Sequence, residues 1–254
     1  MEPLLSIRDL TVAVGPQKIV DHVSFNVPRG KIVAVAGGSG SGKTTIGLAI
    51  LRLLSPALSI KQGSIIFEGK DLLSLHVNQM QQYRGAGIGM VFQEPLSALD
   101  PLFTIGDQIE EVLSVHTALS KHERYDKAIE SLAEVELPDP MRVYKSYPHQ
   151  LSGGMRQRAM IAQALVCGPS LIIADEPTSS LDVTLQVKIM GIFNRLKAKG
   201  ISILLIAHDL GMIAHVADEI IILRQGIMVE QGLVASVIGQ PQHEYTKALV
   251  EAFQ

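Results

Sequence analysis

Apolar and polar positions divide the chain into an alternating beginning and a later part with fully apolar runs. Residues 5–14 and 18–27 alternate apolar and polar side chains and are followed by turn-forming residues, which predicts antiparallel β-structure. The runs at 31–36, 171–174 and 201–207 are almost wholly apolar, as in strands buried on both faces of a parallel sheet. The pattern therefore predicts an α/β fold with an N-terminal antiparallel β region.

Helical periodicity replaces the strand pattern between Pro95 and Pro148. Ile105–Val115 and Lys121–Val135 each repeat apolar residues at helical spacing, with no buried strand between them. We therefore expect one domain over residues 1–254. Its β region and core take about 1–94 and 149–254, and an inserted helical subdomain takes about 95–148 and extends into the next helix. Further predicted elements are helices at 43–54, 159–165, 183–199 and 243–252 and strands at 64–67, 89–92, 219–223 and 227–230. The last two strands are expected to form a hairpin around Gln225-Gly226.

Composition narrows the class of protein. With 254 residues and 47% hydrophobic side chains the chain can bury a sizeable core. A net charge of -3 gives no general electrostatic reason to expect nucleic acid. The single cysteine, Cys167, excludes a disulfide framework, and no apolar run is long enough to span a bilayer. The expectation is a soluble, cytosolic α/β protein.

The segment GGSGSGKT at residues 37–44 has the spacing of a phosphate-binding loop, G-x-x-x-x-G-K-[ST]. It follows a predicted buried strand and opens a predicted helix, which is the context that this pattern requires. Its glycines let backbone N–H groups wrap phosphates. Lys43 is placed to bridge the β- and γ-phosphates, and the Thr44 hydroxyl is placed to bind Mg²⁺.

Two carboxylates end the apolar run at 171–174. Asp175 is placed to support Mg²⁺, and Glu176 is the candidate general base that polarises the attacking water. A pair of carboxylates at a strand end is ordinarily only solvated. In a chain with a phosphate-binding loop the same pair predicts hydrolysis of a nucleotide.

A second glycine-bearing segment, LSGGMRQR at 151–158, runs into a predicted helix. Ser152, Gly153 and Gly154 at a helix N-terminus form a second anion-binding device, because free N–H groups and the helix dipole favour negative charge there. One nucleotide does not need two cradles in the same half-site. We therefore expect this chain to be half of a composite enzyme.

The order of these motifs over residues 30–232 resembles that of the ABC-type ATPases. The resemblance implies a RecA-like, phosphate-loop NTPase core, with ATP and Mg²⁺ as ligands, in which the second loop closes over the nucleotide of a partner subunit. It also implies that Gln93 senses Mg²⁺ and the γ-phosphate, that His208 contacts the γ-phosphate, and that Ser180-Leu181-Asp182 crosses the dimer interface. The implied catalytic residues are Glu176, His208 and Gln93, and the implied metal ligands are Thr44, Gln93 and Asp175. The implied nucleotide-binding residues are Gly37, Gly38, Ser39, Gly40, Ser41, Gly42, Lys43, Thr44, Thr45, Ser152, Gly153, Gly154 and Asp182.

One position departs from the family. ABC ATPases usually stack an aromatic ring on adenine from the N-terminal β region, and Val14 stands at that place in this chain. An aliphatic side chain keeps van der Waals contact and loses most of the stacking free energy. We therefore expect weak discrimination between nucleobases.

Three segments resemble the peptide and nickel branch of bacterial importer ATPases: residues 92–101, 147–158 and 240–246. The short chain, Gly38 and Val14 favour an importer of nickel or of a metal–metallophore complex, with a di/oligopeptide importer as the alternative. The resemblance implies a second, related ATPase as heterodimer partner, two transmembrane permease subunits and an extracytoplasmic solute-binding protein. It places the chain at the cytoplasmic face of the bacterial inner membrane.

Two other classes explain less of the sequence. An ABC ATPase that acts on nucleic acid typically carries a coiled-coil insert, a zinc module or a second cassette, and none is visible here. A phosphate-loop kinase of a small metabolite leaves residues 151–158 unexplained. Within the importer class, the start of the helical insert is expected to receive a short cytoplasmic helix of the permease, with Leu96 or Leu99 as its anchor.

Overall fold

The structure is a computed structural model and describes residues 2–179 and 181–252. The strands are β1 (Leu5–Val14), β2 (Gln17–Val27), β3 (Ile32–Gly37), β4 (Ser59–Phe67), β5 (Lys70–Asp71), β6 (Ile88–Val91), β7 (Leu171–Asp175), β8 (Ser202–Ile206), β9 (Glu219–Arg224) and β10 (Ile227–Leu233). The helices are α1 (Lys43–Ile50), α2 (Val77–Tyr83), α3 (Pro95–Ala98), α4 (Ile105–His116), α5 (Lys121–Glu134), α6 (Pro140–Tyr144), α7 (Gly153–Leu165), α8 (Val183–Ala198), α9 (Leu210–Val216), α10 (Val234–Gly239) and α11 (Glu244–Glu251). A 3₁₀ turn covers Pro148–Gln150.

The chain divides into two compact units. The first comprises the residues up to Met80 together with those from Phe193 onward, and the second comprises Gln81–Ile192. The predicted α/β class with an N-terminal antiparallel region is confirmed by the strands of the first unit. The division of 1–254 into a core and a helical subdomain at about 95–148 stays a prediction.

An antiparallel sheet in the first unit has the order β2-β1-β4-β5. Leu5 pairs with Val27 on one side and with Phe67 on the other, so β1 lies between β2 and β4. Strand β4 begins at Ser59, five residues before the predicted start. Its first five residues are exposed or half-buried and carry no apolar alternation, so pairing with β1 is what extends the strand.

The same unit contains a parallel core in which β3 pairs with β8 and β9. Every residue of β3 is buried, as the uniform apolar run predicts. Strands β9 and β10 form the predicted antiparallel hairpin, and positive φ angles of 49° at Gln225 and 82° at Gly226 match a type I′ turn.

Helix α1 is shorter than the predicted helix at 43–54. It ends at Ile50, and Arg52 adopts a left-handed backbone with φ of 53°, a conformation that ends helices. Apolar residues continue to Leu54, so periodicity alone overestimated the length of this helix.

The second unit combines a parallel strand pair with packed helices. Ile88 pairs with Leu171 and Val91 with Ala174, so the carboxyl ends of β6 and β7 lie side by side. Helix α7 packs against α3, α4 and α5. Capping boxes begin α4 at Thr104 and α5 at Ser120, and both helices match their predicted bounds within one residue.

Candidate functional site

The predicted phosphate loop connects β3 to α1 in the first unit, which is the strand–loop–helix order that the motif requires. At two positions of this loop, neighbouring backbone atoms lie so close that only glycine can be accommodated. A Cβ on Gly37 would lie 2.2 Å from the Leu223 carbonyl oxygen, and one on Gly42 would lie 2.7 Å from that of Ile19. Both also have positive φ angles, 153° and 97°, so only glycine fits these two positions without distortion.

The start of α1 has the features of an anion-binding helix N-terminus. Gly42 is the N-cap and provides no side-chain cap, and the first turn contains no acidic residue. The positive end of the helix dipole therefore meets no negative side chain of its own first turn, an arrangement that favours a bound anion. The buried Ser41 Oγ has no hydrogen-bond partner among the described residues. These features fit the phosphates of a nucleotide.

Lys43 is held against the loop itself. The side chain is 5% exposed, and its Nζ donates to the carbonyl oxygens of Gly37 and Gly38, each at 2.9 Å. The neighbouring Thr44 is exposed and Thr45 half-buried. The ammonium group is thus fixed at the mouth of the phosphate cradle rather than extended into solvent.

Two other predicted residues of the first unit lie at strand ends. His208 is exposed and follows β8, and the next residue, Asp209, caps α9 by accepting the N–H groups of Gly211 and Met212. Val14 is the last residue of β1 and is 39% exposed. Its aliphatic surface is accessible, as a side chain that contacts a base must be.

The second unit brings together Gln93 and Glu176. Gln93 follows the end of β6, Glu176 follows the end of β7, and the Gln93 Nε2 donates to the Glu176 Oε2 at 3.1 Å. Asp175 ends β7 and is 4% exposed. Glu176 has a positive φ of 44°, a strained conformation of the kind that clusters at functional sites. The pairing of β6 with β7 is what places a glutamine and two carboxylates at one sheet edge.

The second loop begins α7 as predicted, and the helix starts at Gly153, six residues earlier than the apolar pattern indicated. Ser152 is the N-cap, and its Oγ accepts the Met155 N–H at 3.4 Å. A Cβ on Gly153 would meet no atom within 4 Å, whereas one on Gly154 would lie 2.8 Å from the Leu185 side chain. Ser152 and Gly153 are exposed, so this helix end is accessible to another molecule.

Asp182 has a local role that the sequence reasoning missed. Its Oδ1 accepts the Leu185 N–H at 3.0 Å, so the carboxylate caps the first turn of α8. The signal was present as an Asp directly before a predicted helix. Ser180, the first residue of the predicted interface segment, lies outside the described residues.

Tyr245 is a contact of the phosphate loop that the motifs did not indicate. Its hydroxyl accepts the Gly38 N–H at 2.9 Å. The sequence reasoning used residues 240–246 only as a family resemblance and assigned them no role. A contact between residues so distant in sequence has no local signal.

Within residues 2–179 and 181–252, no group of three or more His, Cys, Asp and Glu side chains has the arrangement of a metal site. Across the same residues, none of the helices has the length and apolar character needed to cross a bilayer.

Relatives with curated names match almost the whole chain. The peptidoglycan transport ATP-binding protein YejF of Agrobacterium fabrum is 46% identical over 99% of this chain, which spans 47% of that relative. The dipeptide transport ATP-binding protein DppD of Bacillus subtilis is 43% identical over 98% of this chain and 76% of its own length. A putative peptide import ATP-binding protein of Brucella melitensis is 43% identical, over 99% of this chain and 78% of its own length.

A solved structure shows the same fold. The ATP-binding cassette MJ0796, in a dimeric post-hydrolysis state bound to ADP and Pi, is 30% identical with a TM-score of 0.80, covering 91% of this chain and 98% of that one. Residues 20–179 match the ABC transporter family. The phosphate loop, the strand-end carboxylates and these matches lead to one conclusion: the chain belongs to the ABC transporter family, as an ATP-binding and ATP-hydrolysing subunit.

Proposed function

We propose that this chain is the ATPase motor of a bacterial peptide importer. The observation that carries the proposal is the structure of the loop between β3 and α1. Close contacts require glycine at two of its positions, α1 has no side-chain cap, and Lys43 is buried against the loop carbonyl oxygens. In an ABC transporter subunit such a loop serves ATP, and the peptide-transport names of the relatives supply the substrate class. The expected cycle couples ATP-driven closure of a dimer of ATPases to the permease.

The comparisons favour peptide over nickel. The sequence features alone favour nickel or a metal–metallophore complex, with di/oligopeptides as the alternative. The three relatives above are named for peptidoglycan, dipeptide or peptide transport. The alternative is therefore adopted here, and the preference for nickel has no support from these relatives.

The proposed roles in the first unit follow from its geometry. Backbone N–H groups of residues 37–45 and the start of α1 bind the phosphates, because they form a cradle with a positive dipole. Lys43, held beside the cradle by the loop carbonyl oxygens, donates to the β- and γ-phosphate oxygens. The exposed Thr44 hydroxyl binds Mg²⁺, and the exposed His208 contacts the γ-phosphate.

The proposed roles in the second unit rest on the Gln93–Glu176 hydrogen bond. Glu176 accepts a proton from the attacking water, and the Gln93 amide orients its carboxylate. Asp175 and Gln93 are the oxygen donors assigned to Mg²⁺, a hard cation that prefers carboxylate and amide oxygens. When bound, Mg²⁺ neutralises charge on the terminal phosphates during hydrolysis.

The exposed start of α7 is proposed to serve a nucleotide held by a second ATPase subunit. Ser152 and Gly153 are accessible, and Gly153 leaves open space where another molecule can dock. Asp182 is assigned to the same subunit interface. We expect the second ATPase to be a related chain in a heterodimer.

The remaining partners follow from the importer role. We propose two transmembrane permease subunits, an extracytoplasmic solute-binding protein, and a peripheral position of this chain at the cytoplasmic face of the bacterial inner membrane. The exposed Leu96 of α3 is the proposed contact with the permease, since it is 57% exposed whereas Leu99 is 3% exposed.

An uptake experiment in the source bacterium tests the proposal. Cells that carry Lys43→Ala as their only copy are expected to lose uptake of labelled dipeptides and to keep uptake of nickel. Lys61→Ala, at an exposed lysine of β4, is the matched control and should transport normally. Loss of nickel uptake with normal dipeptide uptake would return the assignment to nickel. Normal uptake of both solutes would refute an importer of either class.

A further inference from the structure

A tyrosine near the end of the described chain contacts the phosphate loop. The Tyr245 hydroxyl lies 2.9 Å from the Gly38 nitrogen, although the two residues are 207 positions apart in sequence. Both belong to the first unit, and Tyr245 is a half-buried residue in the first turn of α11. The roles proposed for ATP binding and hydrolysis do not include this contact.

The contact fixes a peptide plane that also supports Lys43. The Gly37 carbonyl and the Gly38 N–H belong to one planar peptide group and point in opposite directions. Tyr245 accepts the N–H at one side, and the Lys43 Nζ donates to the Gly37 carbonyl at the other, at 2.9 Å. Rotation of this plane would move the oxygen on which Lys43 rests, so the hydroxyl restrains Lys43 through one rigid group.

Tyr245 and the two residues before it are held in place by neighbouring side chains. His243 caps α11, and its Nδ1 accepts the Tyr245 N–H at 3.0 Å. Glu230 of β10 accepts the N–H groups of Gln242 and His243 at 2.9 and 3.0 Å. The Arg224 guanidinium lies 5.1 Å from the centre of the Tyr245 ring, within cation–π distance. The hydroxyl therefore meets the loop in a preset position.

The residue at position 38 is fitted to this hydroxyl. A Cβ on Gly38 would lie 3.1 Å from the Tyr245 oxygen and would meet no other atom within 4 Å. The glycine therefore leaves room for one particular neighbour, the tyrosine hydroxyl. Any larger residue must displace Tyr245 by a few tenths of an ångström.

We infer that Tyr245 is a positioning residue of the phosphate loop, which holds the Gly37–Gly38 peptide and with it Lys43 in the orientation that receives ATP. The inference rests on the proposed function, because it takes residues 37–45 as the phosphate site. It gives the segment after β10 a part in nucleotide affinity. Tyr245 acts through the loop, and no contact of its own with the nucleotide is required.

Tyr245→Phe tests the inference in the full chain, because it removes the hydroxyl and keeps the ring beneath Arg224. The loss of one hydrogen bond to the loop should raise the Kd and the KM for ATP about three- to tenfold. The loop binds ATP equally in the ground state and in the transition state, so its disturbance should weaken both and leave kcat within about twofold of the native value. Titration with ATP, steady-state hydrolysis and thermal unfolding are measured on the same preparation.

A matched control separates this role from general packing. Tyr125→Phe removes a hydroxyl from a half-buried tyrosine of α5 and should change neither Kd nor KM. A second pair of variants tests the coupling to the loop. Gly38→Ala should raise the Kd for ATP in the native chain. In the Tyr245→Phe chain, where the clashing oxygen is gone, the same substitution should raise the Kd for ATP less than about twofold.

The outcomes distinguish the inference from the proposed function. If Lys43→Ala weakens ATP binding while Tyr245→Phe leaves Kd and KM unchanged, the inference is wrong and the proposed function stands. A tighter Kd in Tyr245→Phe also overturns it, since the hydroxyl would then compete with the nucleotide. If Lys43→Ala itself leaves ATP binding intact, the proposed phosphate site is wrong and the inference fails with it.

Discussion

The side-chain amide of Gln93 donates a hydrogen bond to the carboxylate of Glu176, with 3.1 Å between Nε2 and Oε2. The two residues follow adjacent parallel strands, and the pairing of Val91 with Ala174 sets their separation. A carboxylate has about four acceptor sites, so a hydrogen bond from one amide does not prevent it from accepting a proton from water. This relationship supports Glu176 as the general base and Gln93 as the residue that orients it.

Glu176→Gln should bind ATP within a few-fold of the native affinity and hydrolyse it about 10²–10⁴-fold more slowly, because only the proton acceptor is lost. Binding is measured by titration with ATP and hydrolysis by release of phosphate. Glu94→Gln, at an exposed carboxylate beside Gln93, is the control and should hydrolyse ATP normally. Native turnover in Glu176→Gln would remove this residue from the mechanism.

Gly153→Asp should leave ATP binding by the isolated chain almost intact and abolish hydrolysis by the assembled pair of ATPases. The added side chain meets open space within its own chain, so the fold should tolerate it. Its charge stands where a partner's γ-phosphate is proposed to dock. Gly153→Ala adds bulk without charge and should cost much less activity. Equal loss of binding and hydrolysis in Gly153→Asp would mean that the loop serves its own chain.

Val14→Tyr should tighten ATP by about 1 kcal/mol, at the low end of the range for base–aromatic stacking. The native chain should bind ATP and GTP within a few-fold of each other, because an aliphatic face distinguishes bases poorly. Val14→Leu enlarges the side chain without a ring and should leave affinity nearly unchanged. Strong selection of ATP by the native chain, together with no effect of the tyrosine, would place the base elsewhere.

Leu96→Asp should impair transport, whereas Leu99→Asp should destabilise the fold. Leu96 is 57% exposed, so its variant should fold, keep ATP binding and lose transport if this side chain anchors the permease. Leu99 is 3% exposed, and a buried aspartate there should lower the free energy of unfolding by about 3 kcal/mol or more. Thermal unfolding and peptide uptake separate the two results. Normal transport by a well-folded Leu96→Asp chain would relocate the coupling surface.

Asp218→Asn should lower the free energy of unfolding at neutral pH and leave it unchanged in strong acid. Burial by itself would raise the pKa of Asp218, but the Ile32 N–H, Lys31 and Lys197 outweigh burial and hold this pKa below its ordinary value of 3.8. The stabilisation is therefore fully present above pH 3.8 and is lost as the pH falls through the lowered pKa. At pH 7 the variant should lose about 1 kcal/mol in denaturant unfolding, and the difference should vanish in strong acid.

Glu130→Gln, at an exposed carboxylate of α5, is the control for that experiment and should unfold like the native chain at every pH. A constant difference between Asp218→Asn and the native chain down to strong acid would contradict the role of the carboxylate charge.

The sequence by itself determined the parts of the site that local chemistry specifies. The glycine and lysine spacing at 37–44 identified the strand–loop–helix unit, because only glycine fits at Gly37 and Gly42. Periodicity placed α4 and α5 within one residue, and the capping boxes at their starts show that side chains only a few positions away fix these helix ends.

Tertiary structure alone decided strand limits, the burial of individual side chains and the hydrogen bonds between residues distant in sequence. Periodicity could not show that β4 begins at Ser59 or that Leu96 is exposed while Leu99 is buried, because pairing and packing set these features. The Gln93–Glu176 bond joins residues 83 positions apart, and the Gly38–Tyr245 bond joins residues 207 positions apart. Strand register and the docking of α11 create these contacts, and no local pattern encodes either.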